Sequence, residues 1–476
     1  MSISSWREVF CSKRNAFIFT FTIILCAEAF SQTPVPALSN SMQASTQTST
    51  QTLGQPAGAV LRLEDLEQMA LKSNPTMAQA EAVIRAAEGK RVQSGLWPNP
   101  IVGYSGNEFA LRAFGEKSEH LGFIEQTIPL GGKLKKSQAI FAQEKLQSEQ
   151  SAVAQRQRIV NGVRMLFYRA LGAQQLVEVR TELAKLSRDA VKVTGELLNV
   201  GQADRPDVAQ IRIEAERAEI DLIMAENERE QVWSELAAVV GNPALKPTTL
   251  AGQLEKDLPV LNQETLLNQL LTNSPEVKRA QTGVERARAV ISRSKAEVTP
   301  DLYLRGGFGY NRELLEREIP SIRKRTGLEA QVEVGLRIPI FNRNQGGIAS
   351  ATAELEVAER EVQRVELLLR TRFAAAFRNY LNASRVASQY EKQIVPQAQS
   401  AYDMYLKNFR GMAAAYPQVL IAQRTLFQVR ADYVAALVNT WQHAALLQGY
   451  LLSGPLDASG GMTMENSNSV NADDRD

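Results

Sequence analysis

Apolar residues along this chain follow two periods, and the switch between them occurs twice. Residues 61–93 open with LRLEDLEQMALKSNP and continue through the Ala-rich AEAVIRAAEGKRVQSG; residues 261–292 open with LNQETLLNQLLTNSP and continue through TGVERARAVISRSK. Steps of three and four predict a short helix and then a longer one in each copy. Pro75 and Pro275 stand at matching places, as do Pro100 and Pro300. Alternation then replaces the helical period. It predicts strands over about residues 100–109 and 119–129 in the first copy, and about 300–310 and 328–339 in the second. Pro129 and Pro339 close the strand pairs and lead into glycines, in Pro129-Leu-Gly-Gly-Lys133 and in the run from Pro339 to Gly347.

Long helical segments follow. No proline occurs from Lys133 to Arg205, and neither proline nor glycine from Ile348 to Val395. A continuous helix over the first segment would extend about 100 Å at 1.5 Å per residue. Ile159, Val163, Leu166 and Ala170 mark a seam in the first copy, and Ala351, Leu355, Ala358, Val362, Val365 and Leu369 mark one in the second. Each long helix breaks at a tip, about residues 200–208 and 409–419. Gly201 and Gly411 suit the left-handed residue that ends a helix, and Pro206 and Pro417 suit the first turn of the next. A repeat of about 200 residues is too long for a solenoid and argues for two equivalent halves. The expected organisation is a first repeat over 59–245, a linker over 246–260 and a second repeat over 261–455.

The ends read differently. Arg7, Lys13 and Arg14 precede the apolar run from Ala16 to Leu25, and small residues follow at Ala27 and Ala29. Ten apolar residues are too few to span a bilayer as a helix, so residues 1–29 are expected to be a secretory signal peptide. Its removal would take away Cys11 and Cys26, the only cysteines, which suits an oxidising compartment. Cys26 is also a possible lipidation site, but Leu25 stands where a lipobox has a small residue. Residues 30–58 (Ser/Thr/Gln-rich) and 456–476 have too few apolar groups to offset ordering entropy and are expected to be disordered.

Composition narrows the function. The 476 residues carry 54 Lys+Arg against 52 Asp+Glu, a balance that makes no electrostatic case for nucleic acid. Mean hydropathy of −0.23 excludes a polytopic helical membrane protein. The only histidines, His120 and His443, lie far apart, and Met165, Met224, Met404 and Met412 show no ligand spacing, so no metal site is expected. The Gly306-Gly307-Phe308-Gly309 cluster precedes no helix start, so no nucleotide cofactor is expected either. No Ser/His/Asp or paired-carboxylate arrangement stands out, and no enzyme is predicted. Two strands per half, each of about ten residues, suit a tilted outer-membrane strand. Four strands cannot close a barrel, and an open edge is not tolerated in lipid, so if the strands span a membrane several copies must share one barrel; three would give an even count of twelve. The alternative is a soluble four-stranded sheet beside a helical bundle.

In the order of its motifs the chain resembles the TolC-type outer-membrane factors, the exit ducts of tripartite efflux pumps and type I secretion systems. The resemblance covers about Leu61 to Leu456 and rests on Ser73-Asn-Pro75, Pro98-Asn-Pro100, the strand-to-helix prolines and the glycine tips, in the same order twice. Leu130-Gly-Gly-Lys133 and the stretch from Ile340 to Gly346 look most like the heavy-metal efflux branch. The resemblance implies a mainly α protein with a small β part. It would form a homotrimer with a shared twelve-stranded barrel and a long periplasmic α-helical tube, in the outer membrane of a Gram-negative bacterium. Implied partners are outer-membrane lipid, a periplasmic adaptor (membrane fusion) protein and an inner-membrane pump of the proton-driven RND type.

It also implies that the tips dock the adaptor. The residues concerned are Val200, Gly201, Asp204, Asp207 and Val208 in the first tip, and Gly411 and Val419 in the second. The plainer reading is that Gly201 and Pro206 build a turn and that Asp204 or Asp207 caps the next helix. Relatives can close the tube with acidic rings near the second tip, but Gln418 to Ile421 hold no carboxylate. Candidate gate residues are therefore Arg410 through salt bridges, with Tyr416, Gln418 and Leu420. Tyr104, Phe109, Phe123, Tyr303, Phe308 and Tyr310 are candidate interfacial girdle residues. The rival reading is a soluble periplasmic coiled-coil scaffold or adaptor. An exported helical hydrolase is a further rival, for which no catalytic constellation speaks.

Overall fold

The computed structural model describes residues 60–107, 118–201, 203–311, 327–411 and 416–457. All belong to one of the two units into which the chain divides, and only that unit is treated below. The signal-peptide and leader expectations, the tail beyond residue 457, Phe109, Gln202 and Met412 to Ala415 lie outside the described residues.

The repeated Asn-Pro and Ser-Pro signals are helix caps. α1 (Leu63–Ser73) ends at Asn74, whose side chain accepts from the Thr76 amide at 2.9 Å and so caps α2 (Pro75–Ser94). Its other side-chain atom donates to Val239 O at 2.8 Å, so one buried residue serves two helices. In the second copy α5 (Gln263–Asn273) gives way to α6 (Pro275–Ala296), and Ser274 accepts from the Glu276 amide at 3.2 Å. Proline loses nothing at these positions, because the first amides of a helix have no partner within it.

β1 (Ile101–Asn107) and β2 (Glu119–Ile128) follow α2; β3 (Leu302–Asn311) and β4 (Leu328–Leu336) follow α6. The four form one antiparallel sheet in the order β1-β2-β3-β4, so the two repeats join through β2 and β3. β4 stops short of the expected limit near residue 339, because Leu336 already pairs with Leu302, the first residue of β3.

The turn from strand to helix needs left-handed backbone. Gly131 and Gly132 have φ of 69° and 70° and lead into α3 (Lys133–Asn199). In the second repeat Asn344, φ 54°, takes that position, and Gly346 and Gly347 lie inside the first turn of α7 (Gln345–Gln389). Asparagine tolerates this region, and its side chain reaches Ser294 O at 2.9 Å. Lys133, almost fully buried, pairs with Asp301 at 2.8 Å and Glu297 at 3.5 Å, and Asp301 also accepts from the Leu130 amide at 3.1 Å. These contacts tie the base of one repeat's strands to the other's.

α3 continues for 67 residues and is followed by α4 (Arg205–Val240). α7 leads through a wide π turn, Tyr390–Ile394, into α8 (Val395–Arg410); α9 (Tyr416–Gln448) is the last helix. The π turn interrupts a segment expected to be regular. Pro396 is the cause: in a regular helix its ring would meet the carbonyl four residues back, and a wider turn relieves that contact.

The helical seams hold the core. Ile159, Val163 and Ala170 are buried as expected, while Leu166 is half-buried beside a buried Phe167. They pack with Leu66, Trp233, Leu236 and Leu437. In α7 the stripe runs from Ala351 to Val365 and Leu369 and then on to Phe373, Phe377 and Tyr380. Leu355, Ala358 and Val362 are half-buried. Burying each large side chain contributes about 1.5–3 kcal/mol. The linker is strapped across both repeats. Trp233 Nε1 donates to Leu245 O at 2.8 Å, Trp441 Nε1 to Leu254 O at 2.9 Å, and Leu61 pairs with Leu250 in a parallel bridge.

A buried polar network fixes the end of α9 onto α3. Asn161 donates to Gly449 O at 2.7 Å and to Leu452 O at 2.8 Å, and Gln155 donates to Thr76 Oγ1 at 2.9 Å. Asn161→Ala leaves two buried carbonyls without a donor, a cost of about 1–3 kcal/mol. It is expected to lower the unfolding temperature of the extracted protein and to open residues 449–457 to protease. Unchanged melting and cleavage would show that water replaces the amide at no cost.

Candidate functional site at the helix tips and the sheet

The first tip is built by a glycine and two aspartates. Val200 ends α3 and is 68% exposed; Gly201 follows with φ 75°, a conformation costly for any residue with a Cβ. Asp204 caps α4, and the Asp207 carboxylate reaches back to the Asp204 amide at 3.3 Å, forming a capping box with Pro206 between them. Val208 is buried.

The second tip is built differently. Gly411 has φ −85° and is not left-handed, contrary to expectation. Its amide bonds Lys407 O at 3.0 Å, so it continues the helical turn in a conformation open to any residue. Arg410 and Gln418 are exposed, and Arg410 forms no ion pair among the described residues. Val419 is buried and Leu420 half-buried. Tyr416 packs its ring on Phe409 at 4.8 Å between centroids, and burial pushes its hydroxyl up to about 12, so it stays neutral.

The two tips share a cavity of about 700 Å³, lined by Leu197, Asp207 and Ile211 from the first and by Phe409, Tyr416 and Leu420 from the second. Of the predicted gate residues, the structure thus brings Tyr416 and Leu420 together and leaves Arg410 and Gln418 outside. The links between the hairpins are ones the sequence reading missed. Arg430 on α9 pairs with Glu182 on α3 at 3.1 Å, bonds Gln399 on α8 at 2.9 Å, and lies over the Phe427 ring. Arg424 approaches Glu214 on α4 at 3.8 Å. Their spacing of six had no contrast with other surface charges on these helices, and only the fold reveals their partners.

The sheet has two chemically distinct faces, which the pairing register defines. One face carries Val102, Tyr104, Ile124, Ile128, Leu302, Leu304, Phe308, Tyr310, Val332, Val334 and Leu336, with His120 and Gln126 among them. It is bare: Val332 is 80% and Val102 77% exposed. The other face carries Asn107, Glu119, Glu125, Thr127, Arg305, Asn311, Glu329, Gln331 and Glu333. Of the girdle candidates, Tyr104, Phe308 and Tyr310 lie on the apolar face, but Phe123 and Tyr303 lie on the polar one. Among the described residues, β1 and β4 each pair on one side only. No described helix is long and apolar enough to cross a membrane.

Comparison with known proteins agrees with this architecture. The outer membrane efflux protein family matches residues 66–242 and 266–451, the two repeats. The cobalt-zinc-cadmium resistance protein CzcC of Cupriavidus metallidurans is 28% identical over 400 residues, covering 83% of this chain and 91% of that protein. A membrane protein of Pseudomonas aeruginosa superposes with a TM-score of 0.67 at 18% identity, covering 82% of this chain and 93% of the other. The outer membrane protein VceC of Vibrio cholerae gives 0.64 at 18% identity, covering 82% and 96%.

The Arg430 contacts make a prediction. α8 buries no residue of its own and depends on such links. Arg430→Gln is expected to speed amide hydrogen exchange in Val395–Arg410 several-fold, equivalent to about 1 kcal/mol, while α3 exchanges as before. Equal exchange in both proteins would mean that the pair is a surface ornament.

Proposed function

The chain belongs to the outer membrane efflux protein family, and on that premise we propose that it is the passive exit duct of a tripartite system exporting divalent heavy-metal cations. It is an outer-membrane channel with a periplasmic helical portion, of a family that works with periplasmic adaptors and inner-membrane pumps. The observation that carries the reading is the sheet: one face apolar and bare, the other polar, with an unpaired strand at each edge. Three copies joined edge to edge close twelve strands, put the apolar faces in lipid and enclose the polar faces around water. The duct performs no chemistry of its own, and transport energy enters at an inner-membrane pump of the proton-driven RND type.

The metal assignment is supported by similarity to a cobalt-zinc-cadmium resistance protein along most of both chains. The adaptor docks on the tips, where Val200 offers an exposed apolar side chain next to a turn fixed by Gly201 and the Asp204–Asp207 box. Gly411 and Val419 belong to the second half of that surface. The gate is Tyr416 packed on Phe409 and Leu420 at the shared cavity, with Arg410 and Gln418 at its exposed rim.

A strain lacking this chain is expected to accumulate cobalt, zinc or cadmium and to become sensitive to them, and re-expression to reverse both. Val200→Asp is expected to assemble normally and fail to restore resistance, because it places a charge on the docking surface. Unchanged metal tolerance together with raised sensitivity to organic antibiotics would instead place the duct in drug export.

A further inference from the structure

The polar face of the sheet contains glycines whose missing side chains are replaced by those of a neighbouring strand. Gly103 on β1 stands opposite Phe123 on β2. A Cβ at Gly103 would collide with the tip of the Phe123 ring, so the ring reaches across β1 and fills the space a side chain would take. The Arg305 guanidinium lies over the same ring, 3.9 Å from the centroid. Arg305 is in register with Glu125 on one neighbouring strand and Glu333 on the other, so carboxylates flank it in both directions. The same device recurs at Gly307, where a Cβ would come within 2.7 Å of Leu121, a side chain only 2% exposed. Gly306 on the apolar face differs: nothing lies within 4 Å of an added Cβ there.

We propose that Gly103 sets the bore of the barrel by letting Phe123 lie against the wall beneath Arg305. The proposal rests on the reading that the polar face encloses the channel. Eight strands leave a barrel just filled by side chains, and sixteen leave an open aqueous channel. Twelve fall between, so the passage depends on whether interior side chains lie along the wall or stand away from it. Symmetry adds to the effect, because three copies put three rings at one height. A β-branched residue at position 103 evicts the ring from its seat and turns it, with Arg305, into the lumen. Rings overlaid by guanidinium also give the passing solute a charged, hydrated surface in place of an aromatic one.

The test is single-channel recording of the full-length protein in planar bilayers, with neutral polyethylene glycols of graded size added on the barrel side. The polymer cut-off then reports the barrel and not the helical end. Gly103→Val is expected to lower the size of the largest polymer admitted, and the double variant Gly103→Val with Phe123→Ala to restore it. Phe123→Ala alone and Gly306→Val are expected to match the wild type. A wild-type cut-off in Gly103→Val overturns the proposal, and so does a raised cut-off in Phe123→Ala, which would mean that the ring already stands in the lumen. Should Gly103→Val fail to assemble, Phe123→Ala decides alone by the same rule. A wild-type protein that forms no channel would sink the barrel reading itself, and the bore proposal with it.

Discussion

A strand edge cannot be left bare in hydrocarbon. Each unpaired amide and carbonyl there costs several kcal/mol, and no water is present to take the place of a partner. β1 and β4 present such edges, and the face between them is mainly apolar, with His120 and Gln126 its polar members. The rest of the architecture answers this constraint. Edges that cannot pair within the chain must pair between copies, and the closed wall that results has an interior. That interior is where the chain places its strand carboxylates, Glu119, Glu125, Glu329 and Glu333, with Arg305 among them.

A shared wall needs rigid posts, and duplication supplies them. Each repeat gives two strands and two long helices, and the joint between strand and helix is where direction changes most sharply. The first repeat turns there on Gly131 and Gly132, the second on Asn344. Lys133 locks the turn by reaching across to Asp301 and Glu297 of the other repeat, so the halves do not move independently at that level. Farther along, Asn161 fastens the end of α9 to α3, while Trp233 on α4 and Trp441 on α9 hold the linker. At the tips the fastening thins to surface pairs such as Arg430–Glu182, and α8 beyond the π turn buries nothing. Packing is thus firm at the strand end and light at the tips.

Much of this was legible in the sequence, for physical reasons. Caps are local: Asn74, Ser274 and Gly201 announce helix ends because their geometry is satisfied within a few residues. Period is local too, so strands and seams could be placed before any tertiary contact was known. What escaped depends on partners distant in sequence. Gly411 resembled a left-handed terminus but continues its helical turn. Phe123 and Tyr303 were grouped with outward aromatics, because alternation gives two faces without saying which is wet; the register with Glu125 and Glu333 decides it. The π turn was hidden because Pro396 acts on the turn before it. Arg430 looked like any other surface charge until the fold supplied Glu182, Gln399 and Phe427.

The central claim is that the sheet is one third of a closed wall. The most direct measurement is native mass spectrometry of the protein extracted in detergent from isolated outer membranes. The account predicts a trimer that persists as the detergent is stripped, since its strands are hydrogen-bonded between chains. A monomer in the outer-membrane fraction, or a soluble species absent from it, would contradict the shared wall and return the sheet to an accessory of a periplasmic scaffold.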